Sequence, residues 1–83
     1  MIDEKIMQQL RDIAQKEKCD VIELVAELDG QPVFRLRKSS IPKGAKVGYP
    51  FLLSTRNGVV YELDLSDIRI IIRSGYTINE RLQ

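Results

Sequence analysis

Apolar residues in this chain keep two different periods, and the switch between them sets most of what it can fold into. Ile2, Ile6, Met7, Leu10, Ile13 and Ala14 recur at three- and four-residue spacing. That is one stripe of an α-helix, with Gln8, Gln9, Arg11, Asp12 and Gln15 on its wet side. From Val21 onward the spacing drops to two, the repeat of strands with one buried face. The helix carries its own boundary signals. Asp3 is placed to cap the free N–H groups, Ile2 and Met7 occupy the staple positions around it, and Glu4 puts an acid in the first turn. Lys16 and Lys18 suit the negative end, and Asp12 with Lys16 is an i,i+4 pair. The spacing predicts a helix over 3–17.

The next segment, "DVIELVAELDG", reads two ways. As a helix it has Asp20 as N-cap, Glu23 completing a capping box and Gly30 as the stop, which would make residues 3–29 a helix-turn-helix. As a strand it sets Ile22, Leu24, Ala26 and Leu28 against Glu23 and Glu27 and turns through Asp29-Gly30 into "VFRLRK". Register favours the strand. A three-residue loop Leu28-Asp29-Gly30 pairs Leu24 with Phe34 and Ile22 with Leu36 on one face, and Glu23 with Arg35 on the other. By the same reasoning a loop of Arg56-Asn57-Gly58 pairs Leu53 with Tyr61, Phe51 with Leu63 and Tyr49 with Leu65. "IRIIIR" then reads as a last strand, and "YTINERLQ" as a fraying tail or a short turn capped by Thr77 and Glu80.

The expectation is an α+β fold in one domain, 1–83: an N-terminal α-helix (3–17) followed by about five antiparallel strands, near 21–27, 33–38, 49–55, 59–65 and 68–73, in a meander or a small, partly closed barrel, with a tail from 74 to 83. Hydrophobic residues make up 43% and charged residues 30% of 83, which is ordinary globular usage and argues against a disordered or membrane-embedded chain. The longest uncharged run, 47–55, is far short of a bilayer span, and "MIDEK" opens with acid where a signal peptide carries base. These features predict a soluble, cytoplasmic protein. One cysteine and no histidine rule out an internal disulfide and the usual zinc sets, so no metal or cofactor is expected. Cys19 has no imidazole to activate it and reads as a small apolar side chain.

Charge is unevenly placed. Residues 1–30 hold 8 acids and 4 bases, 31–58 hold 6 bases and no acid, and 59–83 hold 4 acids and 3 bases. Within the acid-free stretch, Arg35 is expected to pair with Glu23. Arg37, Lys38, Lys43, Lys46 and Arg56 remain as anion contacts, and Tyr49 as a stacking residue, because phosphate recognition needs cations and bases need an aromatic face. "PKGAKVG" is no phosphate-binding P-loop, since Lys43 precedes Gly44 and a strand follows. "ELDLSD" reads as a polar corner between two strands. Ile71 falls opposite Ile68, Ile70 and Ile72, so the last strand would be apolar on both sides and need a cover, with Arg69 and Arg73 as charged flanks.

No catalytic constellation is present in the sequence. The leading expectation is a small non-enzymatic binding module that associates with itself or another protein through its sheet, using Ile71, Arg69 and Arg73, with a 38–46 loop as a contact element. The alternative is an RNA- or DNA-binding domain using the basic 35–46 segment.

Overall fold

A computed structural model of the chain describes residues 3–40, 51–76 and 78–83. Its elements are α1 (Glu4–Lys16), β1 (Val21–Leu28), β2 (Gln31–Arg37), β3 (Phe51–Arg56), β4 (Val59–Glu62), α2 (Leu65–Ser74) and β5 (Glu80–Arg81). The strands form one antiparallel sheet in the order β4-β3-β2-β1-β5. The fold is α+β, and the sheet stays open instead of closing into a barrel. The first four strands are a meander; the fifth returns from the C-terminal segment to the far side of β1. Among the described residues no helix is long and apolar enough to cross a membrane.

The first helix is built as its sequence dictates. Asp3 caps it by accepting from the Lys5 N–H at 2.9 Å, and Ile6, Leu10 and Ala14 form its buried stripe. Asp12 is held by Gln8 at 3.0 Å. At the other end Cys19 N–H bonds the Ala14 carbonyl and Lys18 N–H bonds the Gln15 carbonyl, the bond pair of a Schellman stop. Lys18 takes the left-handed position, φ 59°, where glycine is the usual residue and a side chain costs about 1 kcal/mol. Cys19 is the apolar residue that packs back against the helix after such a stop.

Residues 21–28 are a strand, which excludes the helix-turn-helix. Ile22 faces Leu36, Glu23 faces Arg35 and Leu24 faces Phe34, the pairings that the face argument demands. The device that sets them differs from the expected three-residue loop. Asp29 and Gly30, with φ 52° and 79°, make a two-residue turn that pairs Leu28 with Gln31, and a bulge between Leu24 and Ala26 then shifts the register by one. The bulge turns Val25 and Ala26 to the same side of the sheet, where both are buried with Val33 and Leu52.

The second hairpin has the same turn without the bulge. Asn57 and Gly58, φ 53° and 77°, span it alone, so Arg56 faces Val59, Ser54 faces Tyr61 and Leu53 faces Glu62. The expected pairing of Leu53 with Tyr61 is therefore off by one: Asn-Gly supplies both positive-φ residues of a two-residue turn and needs no third.

The expected strand at 68–73 is a helix. Asp64 caps it by accepting from the Asp67 N–H at 2.9 Å, so "ELDLSD" leads from a strand into a helix, and Ile68 and Ile71, three residues apart, form its buried side. The residues assigned to a tail supply β5 instead. Ile78 N–H bonds the Val25 carbonyl, Leu82 N–H bonds the Ile22 carbonyl, and Ile22 N–H bonds the Gln83 carbonyl.

The sheet is thus a middle layer. Ile6, Leu10 and Ala14 of α1 pack on Ile22, Phe34, Leu36 and Leu53; Ile68 and Ile71 of α2 pack on Val25, Ala26, Val33 and Leu52 across the other face.

Candidate functional site

On the α2 side, alternation along β1 and β2 places Glu23, Arg35 and Arg37 on the same face as Val25 and Val33. Glu23 is 6% exposed. Its Oε1 accepts from Arg35 Nε at 3.0 Å, Arg35 Nη2 at 2.7 Å and Arg37 Nε at 2.9 Å. One carboxylate oxygen therefore fixes two guanidinium groups. Burial by itself raises the Glu23 carboxyl's pKa, but the hydrogen bonds and charges of Arg35 and Arg37 outweigh it and hold the group below its ordinary range. Burial pulls the Arg35 pKa down, and the Glu23 carboxylate together with Tyr76 more than reverses that.

Two further residues share the face of this cluster. The Tyr76 ring lies 5.2 Å from the Arg35 guanidinium carbon and is 42% exposed. Arg81 pairs directly with Glu23 across the β1–β5 ladder, so its side chain leaves on the same face. Lys38, exposed just past the end of β2, falls on the opposite face from Arg37, where its charge acts on Cys19. The turn after Lys38 is fastened by Asp20, whose two carboxylate oxygens accept from the Ser39 N–H at 2.7 Å and hydroxyl at 2.5 Å. Those bonds, the hydroxyl's first, lower the Asp20 pKa. Two arginines thus share one glutamate oxygen while the Arg81 Nε donates to the Gln83 carbonyl, and Arg37 keeps both Nη groups without a protein partner among the described residues.

Of the expected basic residues, the structure places Arg37 in this cluster and turns Lys38 toward Cys19 on the other face. Lys43, Lys46 and Tyr49 lie outside the described residues. Arg56 is elsewhere: it ends β3 beside the Asn57-Gly58 turn, 5.5 Å from the Tyr61 ring, while Arg37 lies at the opposite end of the β2–β3 ladder. Ile71, expected at an exposed interface, is 3% exposed beneath α2, because a helix and not a strand carries it. Arg69 and Arg73 are exposed on that helix. Tyr76 and Arg81 gave no sequence signal. They reach the site only because the C-terminal segment folds back along β1.

Other chemistry is sparse. Burial pushes the Cys19 thiol up, against the pull of Lys38, which leaves it protonated and a poor nucleophile at neutral pH. The groove beside it, about 360 Å³ between Ala14, Cys19, Ile22 and Gln83, is rimmed by Arg11, which is already bonded to Glu4 and Gln83. Among the described residues no group of carboxylate, thiol or imidazole side chains is arranged to hold a metal ion. No protein-family model matches the chain, and searches of curated proteins and of solved structures found no match to it.

Proposed function

We propose that this domain is a non-enzymatic binding module whose contact surface is the arginine-bearing part of the α2 face, and that its partner is single-stranded RNA or DNA. The observation that carries the reading is the buried Glu23 carboxylate holding Arg35 and Arg37 together. A guanidinium locked through Nε presents its two Nη groups as a preformed fork for a phosphate, so little side-chain entropy is lost on binding. Tyr76, exposed and stacked by Arg35, offers a flat face to a base, and Arg81 adds charge along the strand's path. An unpaired strand suits the site better than a duplex, because its bases are free to stack.

Anisotropy of a labelled mixed-sequence oligonucleotide tests this. Three phosphates neutralised on a single strand predict a slope of about −2 in log K against log salt, roughly a fifteen-fold loss between 50 and 200 mM. Arg37→Met should weaken binding by about tenfold, the worth of one charge-assisted contact. Lys43→Glu with Lys46→Glu separates the contribution of these two lysines from that of the arginine face. Absence of binding at low salt, or binding indifferent to Arg37→Met, would sink the proposal.

A second reading, docking of another protein or a second copy, is favoured by α2, which leaves Leu65, Ile70 and Ile72 at 45%, 50% and 46% exposure. Association through that apolar surface would be nearly indifferent to salt.

A further inference from the structure

Sheet edges carry unpaired backbone groups that invite another strand. The two outermost strands of this sheet are β5, only two residues long, and β4. Leu63 N–H bonds the Leu52 carbonyl at 3.0 Å, Tyr61 faces Ser54 and Val59 faces Arg56. That phase of the ladder turns the N–H and C=O of Val60 and Glu62 away from β3. Gln9 of α1 occupies half of this outward row. Its Nε2 donates to the Gly58 carbonyl at 2.9 Å and its Oε1 accepts from the Val60 N–H at 2.9 Å. A residue of a parallel neighbouring strand would bond the carbonyl of 58 and the N–H of 60 in the same pattern. The glutamine amide thus stands where a sixth strand would begin. Beyond it, nothing among the described residues bonds the Val60 carbonyl or the Glu62 backbone.

We infer that Gln9 is a lock on the β4 edge, and that it shuts out the β4 edge of a second copy of this chain. The edge is self-complementary. With Tyr61 opposite its twofold-related equivalent, Val60 of each chain faces Glu62 of the other, and the outward N–H and C=O of both residues find partners. No like charges oppose one another in that register, and Val59, 58% exposed, comes to face Leu63. A single side chain on the helix, more than the one charge of Glu62 on the strand, keeps the edge closed.

Light scattering over a range of concentrations tests the lock. The wild type should remain a monomer, and Q9A should double its mass as concentration rises. Adding Glu62→Pro, which deletes an outward N–H and leaves the bonds to β3 in place, should return Q9A to a monomer. In the wild type, hydrogen exchange should be several-fold slower at the Val60 amide than at the Glu62 amide, although both point off the same edge. A folded Q9A that stays monomeric, a wild type already paired through β4, or a Val60 amide that exchanges as fast as that of Glu62 overturns the inference. If Q9A fails to fold, the exchange rates of the wild type decide it.

Discussion

On the α1 side of the sheet, Ile22, Phe34, Leu36 and Leu53 meet Ile6, Leu10 and Ala14 in a cluster with no charged member. On the α2 side, Val25, Val33 and Leu52 meet Ile68 and Ile71, and then the same strands run on into Glu23, Arg35 and Arg37. The two helices differ accordingly. The first has 13 residues and the second 10; at about 1.5 Å per residue the second is some 15 Å long and does not cover the full strand length. What it leaves uncovered is occupied by a charge network instead of more hydrocarbon. The face that is complete as a core has no groups to offer a partner. The face that is incomplete has guanidinium groups fixed in place by a carboxylate, and that is where binding is proposed.

The contrast can be broken from its strong side first. Phe34 is fully buried on the α1 side, and Phe34→Ala should remove about 3–5 kcal/mol in chemical denaturation, enough to leave a domain of this size barely folded. A loss below about 2 kcal/mol would mean that the α1 cluster is not the main source of stability.

The next effect sharpens the reading of the α2 side. Ile71→Ala should cost about 2–4 kcal/mol and Ile70→Ala less than about 0.5, because only Ile71 faces the sheet. Similar losses at both positions would point to a strand-like, two-sided burial and against the helix.

The smallest effect is expected at the charge network. Glu23→Gln should destabilise by about 1–3 kcal/mol, less than for a fully buried ion pair, since Arg37 remains 31% exposed and solvated. This difference has a defined pH dependence. A carboxyl lowered in the fold contributes stability that is complete above its unfolded pKa, about 4.3, and is lost as pH falls through the lower folded value. The gap between wild type and Glu23→Gln should therefore be constant from neutral pH to about pH 5 and shrink below about pH 4. A gap that persists unchanged in strong acid would show that Gln at 23 acts by packing and not by charge.

Much of this asymmetry could be read from residue order, and the misreadings have physical causes. The pairing of Glu23 with Arg35 and of Leu24 with Phe34 followed from satisfying both faces of a hairpin at once, although the bulge at Val25, not the turn, delivers it. Bulges leave no mark in a run such as "ELVAEL", where every residue suits a strand. The second hairpin was misjudged by one residue because two loop lengths are compatible with Asn57-Gly58. In "IRIIIR" the run is too short for periods of 2 and 3.6 to separate, and the evidence that decides it lies upstream, where Asp64 stands three residues before Asp67 as a cap. Arg37 was legible as a candidate contact; its partnership with Glu23 was not, because it requires knowing that the acid already paired to Arg35 is buried and shared. Tyr76 and Arg81 were invisible for a different reason. A two-residue strand has no periodicity to detect, and its position depends on the whole sheet being present.

That late-arriving strand has a kinetic consequence. The pairings β1–β2, β2–β3 and β3–β4 all join neighbours in sequence, whereas Glu23 meets Arg81 only by closing most of the chain into a loop. Contacts of that separation form slowly and late in folding. Until they form, β1 is a bare outer strand, with the carbonyls of Ile22 and Val25 that later receive Leu82 and Ile78 open to any extended peptide nearby. During synthesis, with the N-terminal part emerging first, the interval lasts until residues 78–83 have been released, and aggregation, if it occurs, should begin in that window and at that strand.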